Sequence, residues 1–199
     1  MKEGIARFGK RAIEAVIKEF AQLDDSESFE PQMANTLTAN QKKAALNLIT
    51  LVKRKRCGRI KGRACADGRK QRRYIKKEDA TAPTLHLESL LLSLLIDADE
   101  RRNVPTCDIV GAYLMAEMPD FVLVKLTNES ANIMCKANPK YRKFATMERG
   151  KKVLYVRLKK ALYGCIKSAL LWYETLKTFL LKMGFKVNRY DPCVANIRT

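Results

Sequence analysis

The chain has one histidine, no C-x-x-C pair and no long apolar run. A hydrolase built on a Ser-His-Asp or Cys-His relay would depend on His86, and nothing near it resembles a nucleophile elbow. The six cysteines, at 57, 65, 107, 135, 165 and 193, are scattered with no zinc-ligand spacing. They read as the thiols of an intracellular protein rather than a disulfide framework. The longest apolar run, Leu90–Ile96, is interrupted by Ser93 and flanked by Glu88 and Asp97. It falls far short of the roughly 20 residues that span a bilayer. Lys2, Glu3, Arg7, Lys10 and Arg11 crowd the N-terminus with no apolar core among them, so no secretory signal is expected. Acids are also scarce: 21 Asp+Glu face 39 Lys+Arg, a formal net charge of +18. Such an excess draws polyanions, because each neutralised phosphate releases condensed counterions. Nucleic acid is the first partner class it suggests, and an anionic membrane surface the second. A hydrophobic fraction of 47% leaves ample material for a core.

Periodicity predicts the elements. Ile5, Phe8, Ile13, Val16, Ile17 and Phe20 recur at helical spacing over residues 4–22. Thr38 and Gln41 fit a capping box. It predicts a second helix, with Ala45, Leu48, Ile49 and Val52 on one face, ending near Gly58. A helix from Pro83 to about Arg101 is apolar on most sides and is expected to be well buried. Strands are expected around Asp108, over 121–126 and over 153–158. Residues 127–150 read as a polar surface excursion. A last helix is expected over 166–183, capped by Gly184.

Two stretches carry chemistry. Residues 53–77 hold thirteen Lys or Arg and a single acid, Asp67. Within them Arg59-Ile60-Lys61-Gly62-Arg63 alternates basic with small or apolar residues. In a strand this puts Arg59, Lys61 and Arg63 on one face. That face suits phosphates better than a plain basic tail would. The second stretch is Cys107-Asp108-Ile109-Val110-Gly111-Ala112-Tyr113-Leu114. An aspartate among apolar strand residues is costly unless a cation satisfies it. The pattern alone leaves two readings, a divalent-metal ligand or a partly exposed aspartate at a strand end.

Asp108-x-x-x-Ala112-Tyr113-Leu114 is similar to the first catalytic motif of copia-type LTR retrotransposon reverse transcriptases. Arg59–Arg63 with Gly68–Gln71 resembles that family's basic fingers strands. Ala80-Thr-Ala-Pro83 with Glu88-Ser resembles its entry to the fingers helix. Lys159-Lys-Ala-Leu-Tyr163-Gly164 with Leu171-Trp172-Tyr173 resembles its second motif. Met183-Gly-Phe185 and Tyr190-Asp191-Pro192-Cys193 resemble the segment before its catalytic Asp-Asp hairpin. The ordered set covers about residues 50–195.

The resemblance implies an α+β fold, an antiparallel palm sheet backed by helices. Residues 1–50 would be a helical N-terminal extension, and 51–199 the fingers and partial palm. It implies templated nucleotidyl transfer to a primer 3′-OH by two Mg²⁺ ions. Asp108 would be the catalytic carboxylate and metal ligand, Ile109 the carbonyl beside it, and Tyr113 the gate against the ribose 2′-OH. Lys61 and Arg63 would hold the incoming deoxynucleoside triphosphate. Arg59, Gly164, Lys167 and Ser168 would meet an RNA or DNA template–primer. Ala169 stands where the family's proline usually follows the serine. The family's Asp-Asp pair is expected shortly beyond Cys193, and the chain ends at Thr199 without one. The expectation is therefore a fragment of a retroelement polyprotein, inactive by itself and intracellular, in a virus-like particle in the parent element. The alternative is a basic nucleic-acid-binding remnant that does no chemistry.

Overall fold

The computed structural model describes residues 1–197; of Lys2 it describes the backbone alone. The predicted first helix is two, α1 (Lys2–Phe8) and α2 (Lys10–Asp25). Gly9 separates them at φ 55°, a conformation that helix residues do not adopt. Ala12, Val16, Phe20 and Leu23 form the buried stripe of α2. β1 (Phe29–Gln32) follows. α3 (Ala39–Ala44) then carries the capping box: Gln41 N donates to Thr38 Oγ1 at 3.2 Å, and Thr38 N donates to Gln41 Oε1 at 2.8 Å.

The predicted second helix stops there. Residues 46–54 form β2 (Leu46–Arg54), hairpinned to β3 (Ile60–Ala66) from Leu48↔Ala66 to Arg54↔Ile60. Leu48, Ile49 and Val52 satisfy a helical period, but Leu46, Leu48, Thr50 and Val52 also alternate with period two. β-branched side chains favour the strand.

β4 (Leu123–Thr127) runs parallel to β2 at Leu46↔Val124. β6 (Lys151–Leu158) runs antiparallel to β4 and to β1. β5 (Thr146–Glu148) pairs the first residues of β6. The sheet order is β1-β6-β4-β2-β3, so the fold is α+β. Residue 50 lies inside β2, and residues 1–50 contribute β1 and half of β2 to this sheet.

Residues 127–150 are not a surface excursion. They hold α5 (Glu129–Ala137), whose Ala131, Ile133, Met134 and Cys135 are buried, and the fully buried Tyr141. Tyr141 Oη donates to Asp24 Oδ1 at 2.7 Å, and Asn138 Nδ2 donates to Asp24 Oδ2 at 2.6 Å. These bonds lock α5 and its following turn to the end of α2. The core joins Phe20 and Leu23 to Leu46, Val124, Leu126, Met134, Leu154 and Val156.

α4 (Leu87–Asp99) contradicts the expectation of burial. None of its residues is buried, and Leu87 and Leu95 are 65% and 68% exposed. Its anchor is at one end, where His86 N donates to Asp191 Oδ2 at 2.9 Å. An apolar helix is buried only if another element lies against it, and among the described residues little does. The same reason removes the expected strand around Asp108: residues 101–110 are all exposed and none belongs to a strand. An extended segment becomes a strand only beside a partner strand. The burial penalty argued for Asp108 therefore does not arise.

α6 (Ser168–Lys182) is the expected last helix, and Gly184 follows it at φ 91°. Phe185 N returns to the Leu180 carbonyl at 3.1 Å, the closure expected after such a glycine. β7 (Lys186–Val187) and β8 (Ala195–Asn196) form a small separate ribbon. No helix among the described residues is long and apolar enough to cross a membrane.

Candidate nucleotide and nucleic-acid site

The β2–β3 hairpin is held rigidly from one side by α2. Arg11 donates to the Gly58 carbonyl at 3.2 Å, at the hairpin tip. Midway, a Cβ on Gly62 would lie 2.7 Å from the Ala15 carbonyl oxygen, so only glycine allows helix and strand to come this close. At the far end Ala64 N donates to Glu19 Oε1 at 3.1 Å. Arg11, Ala15 and Glu19 recur every four residues, one turn-spaced stripe of α2. The hairpin's other face carries Lys61 and Arg63, both exposed. Arg59 lies just before β3, also exposed, and its Nε donates to Cys57 Sγ at 3.4 Å. That guanidinium holds the Cys57 thiol below its ordinary pKa.

The turn at Tyr163-Gly164 packs against the base of the hairpin. Ala66 N donates to the Tyr163 carbonyl at 2.7 Å. Gly164, at φ 90°, touches the Ala66 carbonyl so closely that a Cβ would overlap it. The close approach that glycine permits here is thus to protein backbone. The turn is fixed again by Ser168, which is 1% exposed: its Oγ donates to the Leu162 carbonyl at 2.7 Å and accepts from Leu162 N at 3.1 Å. With its one proton given to the Leu162 carbonyl, Ser168 has none to donate to a template–primer phosphate. Lys167 beside it is ion-paired to Asp120 at 2.8 Å and half-buried. Trp172 packs against the core, and the Tyr173 hydroxyl donates to the Pro192 carbonyl at 3.2 Å.

The segment after Asp108 comes to the same place. Residues 116–118 run antiparallel beside 159–161, with Met118 N on the Lys159 carbonyl at 2.9 Å and Ala161 N on the Ala116 carbonyl at 2.8 Å. This brings the single turn Ala112–Met115 against Tyr163. The Tyr113 and Tyr163 rings stack with centroids 4.5 Å apart and planes tilted by 50°. The Arg63 guanidinium sits 5.7 Å above the Tyr163 ring. A cleft of about 90 Å³ opens there, lined by Gln22, Lys61, Arg63, Gly111, Leu114 and Tyr163 among others.

The structure therefore brings together Lys61, Arg63 and Tyr113, and adds Tyr163. The sequence named Tyr163 only as part of a motif; its position next to a left-handed glycine was the available signal. Asp108 and Ile109 precede the cleft on the exposed segment. Sequence reasoning also missed Gln71. This uncharged residue in the basic run is buried, and its Oε1 accepts from Ile166 N at 3.0 Å. Lys70 is spent structurally as well, donating to the Lys43 and Ala45 carbonyls at 2.9 and 2.8 Å. Gly68–Arg73 is thus a 3-10 turn between elements.

The order of these pieces along the chain has a counterpart among known proteins. A family model described as reverse transcriptase (RNA-dependent DNA polymerase) matches residues 36–193. The chain belongs to the reverse transcriptase family. The Gag-Pol polyproteins of transposons Ty1-BL, Ty1-MR1 and Ty1-OR of Saccharomyces cerevisiae are each 27% identical to it over 186 residues, which is 93% of this chain and 10% of each relative. The domain is of the copia type, and the chain spans about a tenth of those relatives' length. No solved structure matches it.

A reverse transcriptase site is expected to hold divalent ions. Asp108 and the Ile109 carbonyl offer one carboxylate and one neutral oxygen. Among the described residues, no three His, Cys, Asp or Glu side chains gather in one place. A pair of Mg²⁺ ions needs several carboxylate oxygens around it. The residues present do not fit the pair.

Proposed function

We propose that this chain forms the fingers and part of the palm of a retrotransposon RNA-directed DNA polymerase, with the elements of residues 1–50 built into the same sheet and core. In this reading Lys61 and Arg63 bind the triphosphate of the incoming deoxynucleotide. Tyr113 gates the ribose, and Arg59 and Lys167 lie along the template–primer. Gly164 and Ser168 set the turn that carries Tyr163. Asp108 is one carboxylate of the metal site, and among the described residues no three possible metal ligands gather to complete it. The polymerase acts within a retroelement polyprotein inside the cell. The observation that carries the reading is the stack of Arg63, Tyr163 and Tyr113. It joins the basic hairpin to the motif that follows Asp108 in one cleft, and a triphosphate with its sugar needs both.

The single carboxylate also favours a second reading, a basic nucleic-acid-binding piece that does no chemistry. Primer extension by the purified chain with Mg²⁺ and deoxynucleotides tests both readings. Neither predicts extension, so extended primer overturns the incomplete metal site. Photo-crosslinking of an azido-deoxynucleotide separates the two. The polymerase reading predicts labelling at or near Tyr113 or Tyr163, lost in Arg63→Gln. The binding-piece reading predicts no site-specific labelling.

A further inference from the structure

The hairpin's cations do not stop at the face that the proposed polymerase site uses. Three depressions meet there. The 90 Å³ cleft beside Tyr163 is one. A second, of about 570 Å³, lies along Leu51, Lys53, Arg54, Lys55, Lys61 and Arg63. The third is a groove of about 260 Å³ between the hairpin and α2, lined by Lys18, Gln22, Lys55, Arg59 and Lys61 among others. Lys61 lines all three, while Lys55 and Arg63 each line two. The positive surface is therefore continuous from the stacked tyrosines over the hairpin to α2.

Charge bookkeeping in the groove is one-sided. Among the described residues, Lys18, Lys55, Arg59 and Lys61 take part in no ion pair. Glu19 is the only acid lining it, and one of its oxygens is already bonded to Ala64 N. Arg11, Ala15 and Glu19 hold α2 against the hairpin, so the cations of the two walls stay close together. Gln22 extends the same wall to the Asp108 segment, since a Cβ on Gly111 would lie 3.3 Å from Gln22 Nε2. A rigid, elongated, acid-poor track of this kind matches a linear polyanion, whose charges repeat along its length.

We propose that α2 is the outer wall of the nucleic-acid site, with Lys18 across from Lys55 and Arg59 gripping the backbone phosphates of a polynucleotide strand that also crosses Lys61. This rests on the reading that Arg59 lies along the template–primer, and it takes the same strand past Lys61, beside the proposed triphosphate site. It adds a helix outside the hairpin and the motifs to that site. Phosphate contacts position a strand without reading its bases, so the groove binds without sequence preference.

The test is fluorescence anisotropy of a labelled oligothymidylate with the full chain over a range of salt. Lys18→Gln and Lys55→Gln are each expected to weaken binding several-fold. Each should lower the slope of log affinity against log salt by about 0.7, the change for one lost single-strand phosphate contact. Lys18→Arg should keep both. Lys182→Gln makes the same charge change on α6, which lines none of the depressions, and should keep the wild-type slope. A Lys18→Gln slope equal to that of Lys182→Gln overturns the proposal. If Lys61→Gln and Arg63→Gln lower the slope while Lys18→Gln does not, only the wall is refuted. A wild-type chain that does not bind refutes both readings. Loss of binding to anionic phospholipid vesicles in Lys18→Gln, with oligothymidylate binding intact, would assign the groove to a membrane surface instead and overturn the proposal.

Discussion

Gly164→Ala should unfold this chain more readily than any other single methyl added at a glycine turn. Two separate costs combine. At φ 90° an L-residue pays for its Cβ against its own backbone, about 1–2 kcal/mol. The new Cβ would also overlap the Ala66 carbonyl oxygen and lie 3.0 Å from its carbon. Neither neighbour is a flexible side-chain end, so the turn and the base of β3 must separate, which adds about 1–3 kcal/mol. The sum, about 2–5 kcal/mol, is a large part of the roughly 5–15 kcal/mol that holds a domain together. Gly58→Ala is the internal control. It shares the positive φ, at 77°, but its Cβ would have no atom within 4 Å, so only the first cost applies. Urea unfolding followed by the fluorescence of Trp172, the one tryptophan, measures both. With a slope of about 2 kcal/mol per molar urea, Gly164→Ala should lower the midpoint by about 1–2.5 M and Gly58→Ala by about 0.5–1 M. Equal shifts in the two variants would refute the close approach as an energetic determinant of the Tyr163 turn.

Three further outcomes follow from the same geometry. Ser168→Ala leaves the buried Leu162 N–H without its partner, while the Leu162 carbonyl keeps Cys165 N, and should cost about 1–3 kcal/mol by urea titration, whereas Lys167→Ala, which breaks a partly exposed ion pair, should cost less than about 1 kcal/mol. Tyr141→Phe leaves Asp24 without its tyrosine donor and should lower the thermal midpoint by several degrees, consistent with about 1–2 kcal/mol; an unchanged midpoint would show that Asn138 and Lys140 suffice. Glu148 is held at about 2, first by its hydrogen bond from Lys42 and then by Tyr155 and Lys125. A carboxylate depressed in the folded state stabilises above its unfolded pKa and loses that contribution as pH falls. Stability should therefore drop between about pH 4.5 and pH 2, and Glu148→Gln should flatten that part of the profile; a wild-type profile flat there would contradict the assignment.

Much of the fold was legible because its signals were local. Thr38 and Gln41 marked a helix start, the Arg59–Arg63 alternation marked β3, and Gly184 marked a helix end. What was missed depended on tertiary partners. Leu48 and Val52 fit either period, and pairing with β3 chose the strand. Residues 127–150 looked polar by composition, yet Ala131, Met134 and Tyr141 are spaced to meet α2. The leucines of α4 predicted burial but carry no information about what lies beside them. In the site, the cations and Tyr113 were legible as residue types at motif spacing. Gln71, Ser168 and Gly164 were legible as motif members only. Their work is to bond or approach backbone far away in sequence, which no local pattern encodes. The contribution of α2 was hidden for a similar reason: the stripe Arg11, Ala15, Lys18, Glu19 and Gln22 reads as an ordinary solvated face until the hairpin lies against it.

The central claim is that Lys61 and Arg63 form a phosphate-binding face beside the stacked tyrosines. The salt dependence of deoxynucleoside triphosphate affinity in wild type and Lys61→Gln/Arg63→Gln tests it most directly. The account predicts that the double variant lowers the slope of log affinity against log salt and loses most of its low-salt affinity. An unchanged slope in the double variant would contradict it.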